Sequence, residues 1–389
     1  MGRAIAARAL TLRDTSSAPR FAIRLAEDAD DIEIRRLLRE QALPGEVTLT
    51  LEREPDSVIA AGIEGDVHQT MIARECVSGR IAGIASRAER AVFINGQATR
   101  VGYLGQLRTT VRGHKVATLL DEGFTFCRAL HAQGSVDAYL TSIVEDNHAA
   151  RRVLCALRSS AAPSFGRIGT LNTLLIPRGQ RRGRRSRMNG VDIRRGSIDL
   201  IEDIAACLNR NGSRHQFAPV WTVDDLLSTS RTPGLAPQDF LVATSGGRVV
   251  GCAAVWDQRS FKQVVVRGYS RRLTRWRPLI NLAAPLFGAP ALPEHGRPLE
   301  FVYLSHVAID DDRPEVISAL IVEARTTVDP GVSLIVTAFA EGSPLLAAAT
   351  RVAPHRTYRS VLYLACWPDG LPLVDSVDKR LPHPEVAIL

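Results

Sequence analysis

A short basic segment in the first third of the sequence has the residue types of an anion-binding turn. Residues 112–117 read RGHKVA, and apolar residues recur at helical spacing after them. A glycine-containing turn that leads into a helix exposes unpaired main-chain N–H groups, and the helix dipole is positive at that end. Phosphate groups bind well at such a turn, and a cationic side chain beside it adds a charge-assisted contact.

The elements around this turn recur in order in the second half of the chain. Each half starts with a short alternating strand and then an acidic segment that opens a helical pattern. Two strands joined by a glycine turn come next, and each half later has another strand followed by a helix. The matched segments are strands 21–25 and 191–195, helices 28–38 and 198–208, hairpins 71–83 and 241–251, strands 140–145 and 334–341, and helices starting at Asn147 and Ser343.

One part of this repeat is ungapped. Residues 103–107 (YLGQL) align with residues 303–307 (YLSHV) at an offset of 200. At the same offset Val116 and Leu120 meet Val316 and Leu320, and all four are predicted inward positions of helices. We therefore predict two similar modules in one chain.

The order strand, helix, long hairpin, strand, helix, strand, helix, strand resembles the GNAT acyltransferase fold. The resemblance implies an α/β (α+β) protein of two GNAT-like modules, each a mixed, mostly antiparallel sheet flanked by helices. In that family a turn with the pattern Arg/Gln-x-x-Gly-x-Gly/Ala holds the pyrophosphate of CoA. Arg112 and Ala117 match this pattern, whereas Lys115 stands where the family usually has glycine.

A second motif supports the resemblance. Residues 147–154 (NHAARRVL) are similar to the family's Asn-x-x-Ala-x-x-x-Tyr, whose asparagine contacts CoA and whose tyrosine can protonate the departing thiolate. Asn147 and Ala150 match, and Leu154 replaces the tyrosine. Asparagine is also a good helix N-cap, and both roles are compatible.

The resemblance implies a set of site residues. Glu145 and Tyr103 are the candidate catalytic residues, with Glu145 assisting the amine directly or through water. His114 and His148 are alternatives, and holding the two reactants together needs no catalytic side chain. The candidate cofactor-binding residues are Leu107, Arg108, Thr109, Arg112, Gly113, His114, Lys115, Val116, Ala117, Thr118 and Asn147.

The domain organisation follows from the repeat and from charge. We predict an N-terminal tail (1–20), an acyl-CoA-binding GNAT-like domain (21–177), an Arg/Gly-rich linker (178–190) and a second, degenerate GNAT-like domain (191–389). Opposite the basic turn the second half has three aspartates, residues 310–312, which would repel pyrophosphate. We expect Asp312 to cap a helix. The expected task of the second half is packing, substrate gating or forming a wall of the acceptor pocket, and His306 could reach such a pocket.

Composition limits the other classes of function. The net charge is +8, 45% of residues are hydrophobic and 23% are charged, and no apolar run reaches the roughly 20 residues of a membrane span. We expect a cytoplasmic protein with no membrane partner and no signal peptide. The six cysteines lack the spacing of a zinc site, so no metal is expected. Nucleic-acid binding through the linker is disfavoured because aromatic residues, 5% of the chain, are not interleaved with it.

The sequence thus predicts an N-acyltransferase that transfers an acyl group from acyl-CoA, expected to be acetyl-CoA, to an unidentified small-molecule or peptide amine. The alternative is a GNAT-like ligand-binding or regulatory protein without turnover, which Lys115, Leu154 and the acidic second module favour. Loops 44–56 and 259–297 are expected to shape the acceptor pocket. Segment 271–298, rich in Arg, Pro and Leu, is predicted to be an insertion that forms a lid or a homo-oligomer contact.

Overall fold

The first half of the chain is a sheet with helices on its surface. The computed structural model describes residues 19–156, 159–179, 191–287 and 289–389. The strands of the first half are β1 (Phe21–Leu25), β2 (Val47–Glu52), β3 (Val67–Glu75), β4 (Ile81–Ile94), β5 (Gln97–Thr109), β6 (Tyr139–Val144) and β7 (Ser164–Pro177). Its helices are α1 (Asp31–Glu40), α2 (Ser57–Gly62), α3 (His114–His131) and α4 (His148–Ala156).

The described part of the second half repeats the order strand, helix, hairpin, strand, helix, strand, helix, strand. It adds a strand and, where the insertion was predicted, a helix after its hairpin, and one more helix after its last strand. Its strands are β8 (Asp192–Arg195), β9 (Phe240–Ser245), β10 (Arg248–Trp256), β11 (Gln263–Tyr269), β12 (Phe301–Ile309), β13 (Leu334–Ala340) and β14 (Arg356–Cys366). Its helices are α5 (Ile201–Gly212), α6 (Val223–Leu227), α7 (Arg271–Ala283), α8 (Pro314–Thr327), α9 (Pro344–Val352) and α10 (Leu371–Ser376). The predicted strands, hairpins and helices of the repeat are confirmed to within a few residues.

The helices bury the faces that their spacing predicts. In α8, Pro314 occupies the first turn, where its missing N–H costs nothing, and Val316 and Leu320 are fully buried against the sheet. In α3, Leu120 is buried, but Val116 is only half-buried because it lies in the first turn, at the edge of the layer. The amphipathic pattern therefore fixes which side of each helix meets the sheet.

Twelve strands form one continuous sheet in the order β1-β3-β4-β5-β6-β14-β7-β13-β12-β10-β9-β8. The order is symmetric about its centre: β5 and β6 correspond to β12 and β13, and these two pairs are parallel. The last strand of each half crosses to the other half, because β14 pairs with β6 and β7 pairs with β13. The α/β architecture with a mostly antiparallel sheet is confirmed, but the halves share one sheet.

A second, two-stranded sheet also links the halves. Strand β2 pairs antiparallel with β11, with Glu52 opposite Gln263 and Val47 opposite Tyr269. Both strands belong to segments that the sequence analysis assigned to pocket-shaping loops. Among the described residues no helix is long and apolar enough to cross a bilayer. Most of the predicted N-terminal tail (residues 1–18) and most of the predicted linker (residues 180–190) lie outside the described residues.

Candidate active site

The site forms where β5 separates from β6, the strand parallel to it. Aligned pairing of β5 with β6 covers only Gly102 with Tyr139 and Tyr103 with Leu140. A Cβ on Gly102 would lie 2.1 Å from the Tyr139 ring, so glycine is required for this close approach. Just beyond, the pairing of β4 with β5 shifts register by one residue, and Gln106 has φ 52°, in the left-handed region. This bulge bends β5 and opens the sheet.

A cavity of about 410 Å³ occupies the opening. Its size lies in the usual range of ligand pockets, roughly 300 to 1,000 Å³. One part extends between the sheet and α3, and apolar side chains line it: Met71, Ala73, Leu119, Leu120, Phe124 and Cys127. The opposite part is lined from the second half by Lys262, Tyr303, Val336 and Tyr358, so both halves build the cavity.

The basic turn lies where β5 leads into α3. Gly113 has φ 62°, a conformation that strains any L-residue, and α3 begins at the next residue. The Thr110 hydroxyl donates to the main-chain oxygen of Ile81 at 2.9 Å and holds the turn against β4. Arg112 and His114 are exposed beside the helix N-terminus. The turn therefore has the geometry and the charge that favour an anion.

Lys115 does not extend freely from this turn. Its ammonium donates to Glu75 Oε1 on β3 at 2.8 Å, and this hydrogen bond lowers the pKa of Glu75. The carboxylate thus draws the ammonium toward β3. The departure from the family's glycine consequently adds an ion pair at the side of the turn.

The predicted cofactor-binding residues fall into two adjacent groups. Leu107, Arg108 and Asn147 line the cavity. The others lie on the end of β5, on the basic turn and on the first turn of α3, outside the cavity lining: Thr109, Arg112, Gly113, His114, Lys115, Val116, Ala117 and Thr118. Asn147 also caps α4, because its Oδ1 accepts the Ala150 N–H at 3.1 Å. The side chain of Leu154 lies outside the described residues.

The two predicted catalytic residues occupy different surroundings. Tyr103 lines the cavity, its hydroxyl lies 3.3 Å from Ser142 Oγ on β6, and burial raises its pKa to about 12. It is therefore protonated at neutral pH. Glu145 is not among the residues that line the cavity, and its Oε2 lies 3.4 Å from Arg359 Nε. The catalytic role of each residue stays a prediction.

Charged residues on the far wall of the cavity were not singled out from the sequence. Arg53 forms a buried ion pair with Glu64, and Glu52 pairs with Arg267 at 2.5 Å. Lys262 Nζ donates to the main-chain oxygens of Ala387 and Leu389 at 3.2 and 3.1 Å, and burial lowers its pKa to about 8. In the sequence, this wall was indicated only by the two segments expected to shape the acceptor pocket, which contain Arg53 and Lys262.

The corresponding opening in the second half is filled. His306, 200 residues after Gln106, also has a left-handed φ of 52°. Its ring is buried, with its centre 4.3 Å from the Trp221 ring and 5.6 Å from the Trp256 ring. Its main-chain N–H donates to Glu385 at 2.6 Å, and burial lowers its pKa to about 3. The cavity beside it holds about 20 Å³.

Two expectations about the second half are wrong. His306 does not line the large cavity, because its ring packs among the rings of Trp221, Phe240 and Trp256. Asp312 does not cap α8: the N-cap is Arg313, without a side-chain cap, and Asp312 instead pairs with Arg214 at 2.5 Å. Asp310 likewise pairs with Arg210 of α5 at 2.9 Å. Arginines therefore neutralise the acidic turn.

Comparison with solved structures identifies the fold. The Saccharomyces cerevisiae N-myristoyltransferase with bound myristoyl-CoA matches with a TM-score of 0.56 and 11% identity, over 90% of this chain and 84% of that one. A GCN5-related N-acetyltransferase from Sphaerobacter thermophilus matches with a TM-score of 0.51 and 13% identity, over 96% of this chain and all of that one. No family model and no curated protein matches the sequence. The chain thus has the fold of these N-acyltransferases, as the resemblance implied.

In the part of the chain that the structure describes, no group of three or more His, Cys, Asp or Glu side chains is arranged to hold a metal ion.

Proposed function

We propose that the protein is an acyl-CoA-dependent N-acyltransferase that binds its acyl-CoA once, in the first half. The observation that carries this proposal is the coincidence of three features. The bulge at Gln106 opens β5 from β6, a large cavity fills the opening, and the basic turn before α3 lies at the end of the same strand. An acyl-CoA whose thioester lies in the opening and whose pyrophosphate binds at the turn would use all three features.

The chemistry requires an amine, a route for its proton and a proton for the leaving thiolate. The amine nitrogen attacks the thioester carbon, the C–S bond breaks, and CoA leaves as the thiol. We assign the proton acceptor to Glu145, acting through water, because it follows β6 at the mouth of the opening. We assign the proton donor to Tyr103, whose raised pKa keeps the hydroxyl protonated. Leu154 occupies the family's usual donor position, so another donor is needed.

The lining of the cavity bears on the length of the acyl group. The sequence-based expectation is acetyl-CoA, whereas the apolar part of the cavity between the sheet and α3 favours a longer chain. One of the structures with this fold holds myristoyl-CoA. An acetyl group would leave most of this apolar surface without a partner, whereas a hydrocarbon chain would bury it.

Gly123 offers a direct test of chain length. It lies on α3, it lines the cavity, and a Cβ at this position would meet no atom within 4 Å. Gly123→Leu should fill the cavity, improve helix propensity and shift preference in an acyl-CoA series toward shorter chains. Thr125→Leu, at an exposed position of the same helix that does not line the cavity, is the matched control. If acetyl-CoA is the best co-substrate of the unchanged protein and Gly123→Leu does not shift the preference, acetyl-CoA stays the co-substrate.

We further infer that the two halves are tandem GNAT-like modules with different roles, and that residues 178–190 link them. The second module keeps the bulge but fills its opening and neutralises its acidic turn, which supports a degenerate module that forms one wall of the acceptor site. The acceptor is a small-molecule or peptide amine that contacts the wall of Glu52, Arg53 and Lys262. We place the protein in the cytoplasm.

Release of CoA thiol in the presence of an amine panel tests turnover, and calorimetric titration with acyl-CoA tests binding. Saturable binding without thiol release for any amine would support the alternative, a GNAT-like ligand-binding or regulatory protein. Absence of both binding and release would reject the proposed function.

A further inference from the structure

Helix α7 is an exposed apolar surface outside the candidate active site. Among its residues the structure buries none. The exposed fractions of its large apolar side chains are 51% for Trp276, 56% for Leu279, 37% for Ile280 and 77% for Leu282. Isolated exposed apolar residues are common, but four of them within seven positions of one helix form a patch that normally has a partner.

The patch is on the side of α7 that faces away from the protein. The half-buried positions Leu273, Arg277 and Asn281 are spaced four residues apart and lie on one face. Arg277 Nε and Asn281 Nδ2 both donate to the main-chain oxygen of Leu292, at 3.2 and 3.0 Å, and tie that face to the following loop. At 100° per residue, Leu279 and Leu282 lie on the opposite side, Trp276 lies on the flank between the two sides, and Ile280 lies nearer the half-buried face.

The same helix is strongly basic. It carries Arg271, Arg272, Arg275 and Arg277, and no Asp or Glu occurs between Tyr269 and Pro293. Within the described part of the chain none of these four arginines pairs with a carboxylate. Arg272 and Arg275 project from the same side as the apolar patch, near its N-terminal end. A partner must therefore offer both negative charge and an apolar medium.

Charge excludes the simplest partners. A second copy of this face, related by a two-fold axis, would bring arginines against arginines. The segments of this chain that the structure does not describe, residues 1–18 and 180–190, are themselves basic. A nucleic-acid backbone would match the arginines but would leave the leucines in water. An anionic bilayer surface meets both requirements, because headgroup phosphates bind arginine and the acyl boundary takes Trp and Leu side chains.

We propose that α7 docks the protein on the surface of anionic lipid membranes. The arginines contact headgroups, and Trp276, Leu279 and Leu282 enter the boundary between headgroups and acyl chains. With 13 residues, α7 is too short to span the bilayer, so the association is peripheral. The sequence-based expectation of no membrane partner is thereby revised. This inference rests on α7 alone and not on the proposed catalytic function.

Vesicle binding of the full chain is the direct test. Phosphatidylcholine vesicles with phosphatidylserine should bind the protein, pure phosphatidylcholine vesicles should bind it weakly, and added salt should reduce binding. Trp276 is a built-in reporter, because the other three tryptophans are buried. Its emission should shift to the blue, and its quenching by acrylamide should fall, only with the anionic vesicles.

Surface variants separate charge from apolar insertion. The triple change R271Q/R272Q/R275Q should lower the vesicle partition coefficient by about a hundredfold. L279S/L282S should also weaken binding while leaving the salt dependence in place. The matched control is V77S, at an apolar residue that is 96% exposed on the β3–β4 hairpin, and it should bind as the unchanged protein does. Acyltransferase activity on soluble amines should be unchanged in all of them.

Four results would overturn the inference. They are equal binding to neutral and anionic vesicles, unchanged partition of the triple variant, protection of Trp276 before vesicles are added, and a dimer that dissociates in L279S/L282S. The third would mean that a segment of this chain covers α7, and the fourth that a second copy does.

Discussion

The two halves of the molecule build the same bulged strand and use it in opposite ways. Gln106 and His306 have the same left-handed conformation at equivalent positions. Beside Gln106 the sheet opens into a cavity of about 410 Å³, whereas beside His306 tryptophan, phenylalanine and imidazole rings leave about 20 Å³. The same backbone bulge therefore occurs both beside an open cavity and beside a filled one. Whether the opening accepts a ligand depends on the side chains that enter it.

The largest expected effect is on stability, and it separates the two bulges. His306→Ala should lower the free energy of unfolding by about 3 kcal/mol, because it leaves a hole between Trp221 and Trp256. Gln106→Ala should cost less than about 1 kcal/mol. Both variants place an alanine at a left-handed position, but only His306→Ala removes packed side-chain atoms. Urea denaturation measures both. Equal losses would show that the bulge conformation, not the filling, accounts for the cost.

The second comparison concerns two glutamates that share one arginine. Arg359 lies 3.4 Å from Glu145, at the end of β6, and 3.0 Å from Glu341, the equivalent residue after β13. If Glu145 accepts the proton, Glu145→Gln should lower kcat/KM about a hundredfold and alter its pH profile. Glu341→Gln removes the other partner of the same arginine and should leave both unchanged. The same small effect in both would favour catalysis by proximity alone.

A third comparison tests cofactor binding at the two equivalent turns. Arg112→Gln should weaken acyl-CoA binding by about 1 to 3 kcal/mol, the scale of a charge-assisted contact to phosphate. Asp312→Asn should leave affinity unchanged and cost at most about 1 kcal/mol of stability through its exposed pair with Arg214. Calorimetric titration also gives the stoichiometry, expected to be one per chain. Two equivalent sites, or a larger affinity loss at Asp312, would assign the cofactor to the other half.

The pH dependence of stability should also differ between the two openings. The pKa of His306, in the filled opening, is lowered to about 3, so its contribution is fully present above pH 6.5 and is lost as the pH falls toward 3. Lys262, which lines the large cavity from the second half, has its pKa lowered to about 8, so its own contribution is fully present above pH 10.5 and is lost as the pH falls toward 8. Each group changes the unfolding free energy by at most about 1.4 kcal/mol per pH unit in its window.

The variant His306→Gln isolates the acidic window. His383, whose pKa is lowered to about 4, contributes with the same sign, and Glu385, whose pKa is raised by burial, contributes with the opposite sign. Both remain in the variant, so the difference between its denaturation series and that of the unchanged protein reports His306. An identical slope between pH 4 and 6.5 in both proteins would show that the imidazole titrates normally.

Cleavage of the chain between the two halves should have the smallest effect on the folded protein. Trypsin should first cut within residues 178–190, where six arginines alternate with glycine and serine. Because β7 lies between β14 and β13, the two fragments should then co-elute in size-exclusion chromatography until a denaturant is added. Fragments that separate without denaturant would mean that the exchanged strands are not the main link. Stable fragments that end near residue 100 or 250 would contradict the predicted boundary.

The sequence alone determined the elements and their order. Alternating and helical periodicity depend on neighbouring residues, so the hairpins at residues 71–83 and 241–251 and the helices after Arg112 and Arg313 were predictable. The basic turn was also predictable, because an arginine, a glycine, a histidine and a lysine are contiguous in the chain. The offset of 200 residues also aligns Gln106 with His306, the residues at which the two strands bulge.

Tertiary structure alone decided the rest, because it depends on contacts between residues far apart in the sequence. The exchange of β7 and β14 is a pairing of strands about 190 residues apart that no local pattern encodes. The filling of the second opening required His306 to meet Trp221 and Trp256, from three separate elements. The far wall of the cavity required β2 to pair with β11. The exposure of α7 likewise follows from what does not pack against it, which depends on the arrangement of the whole chain.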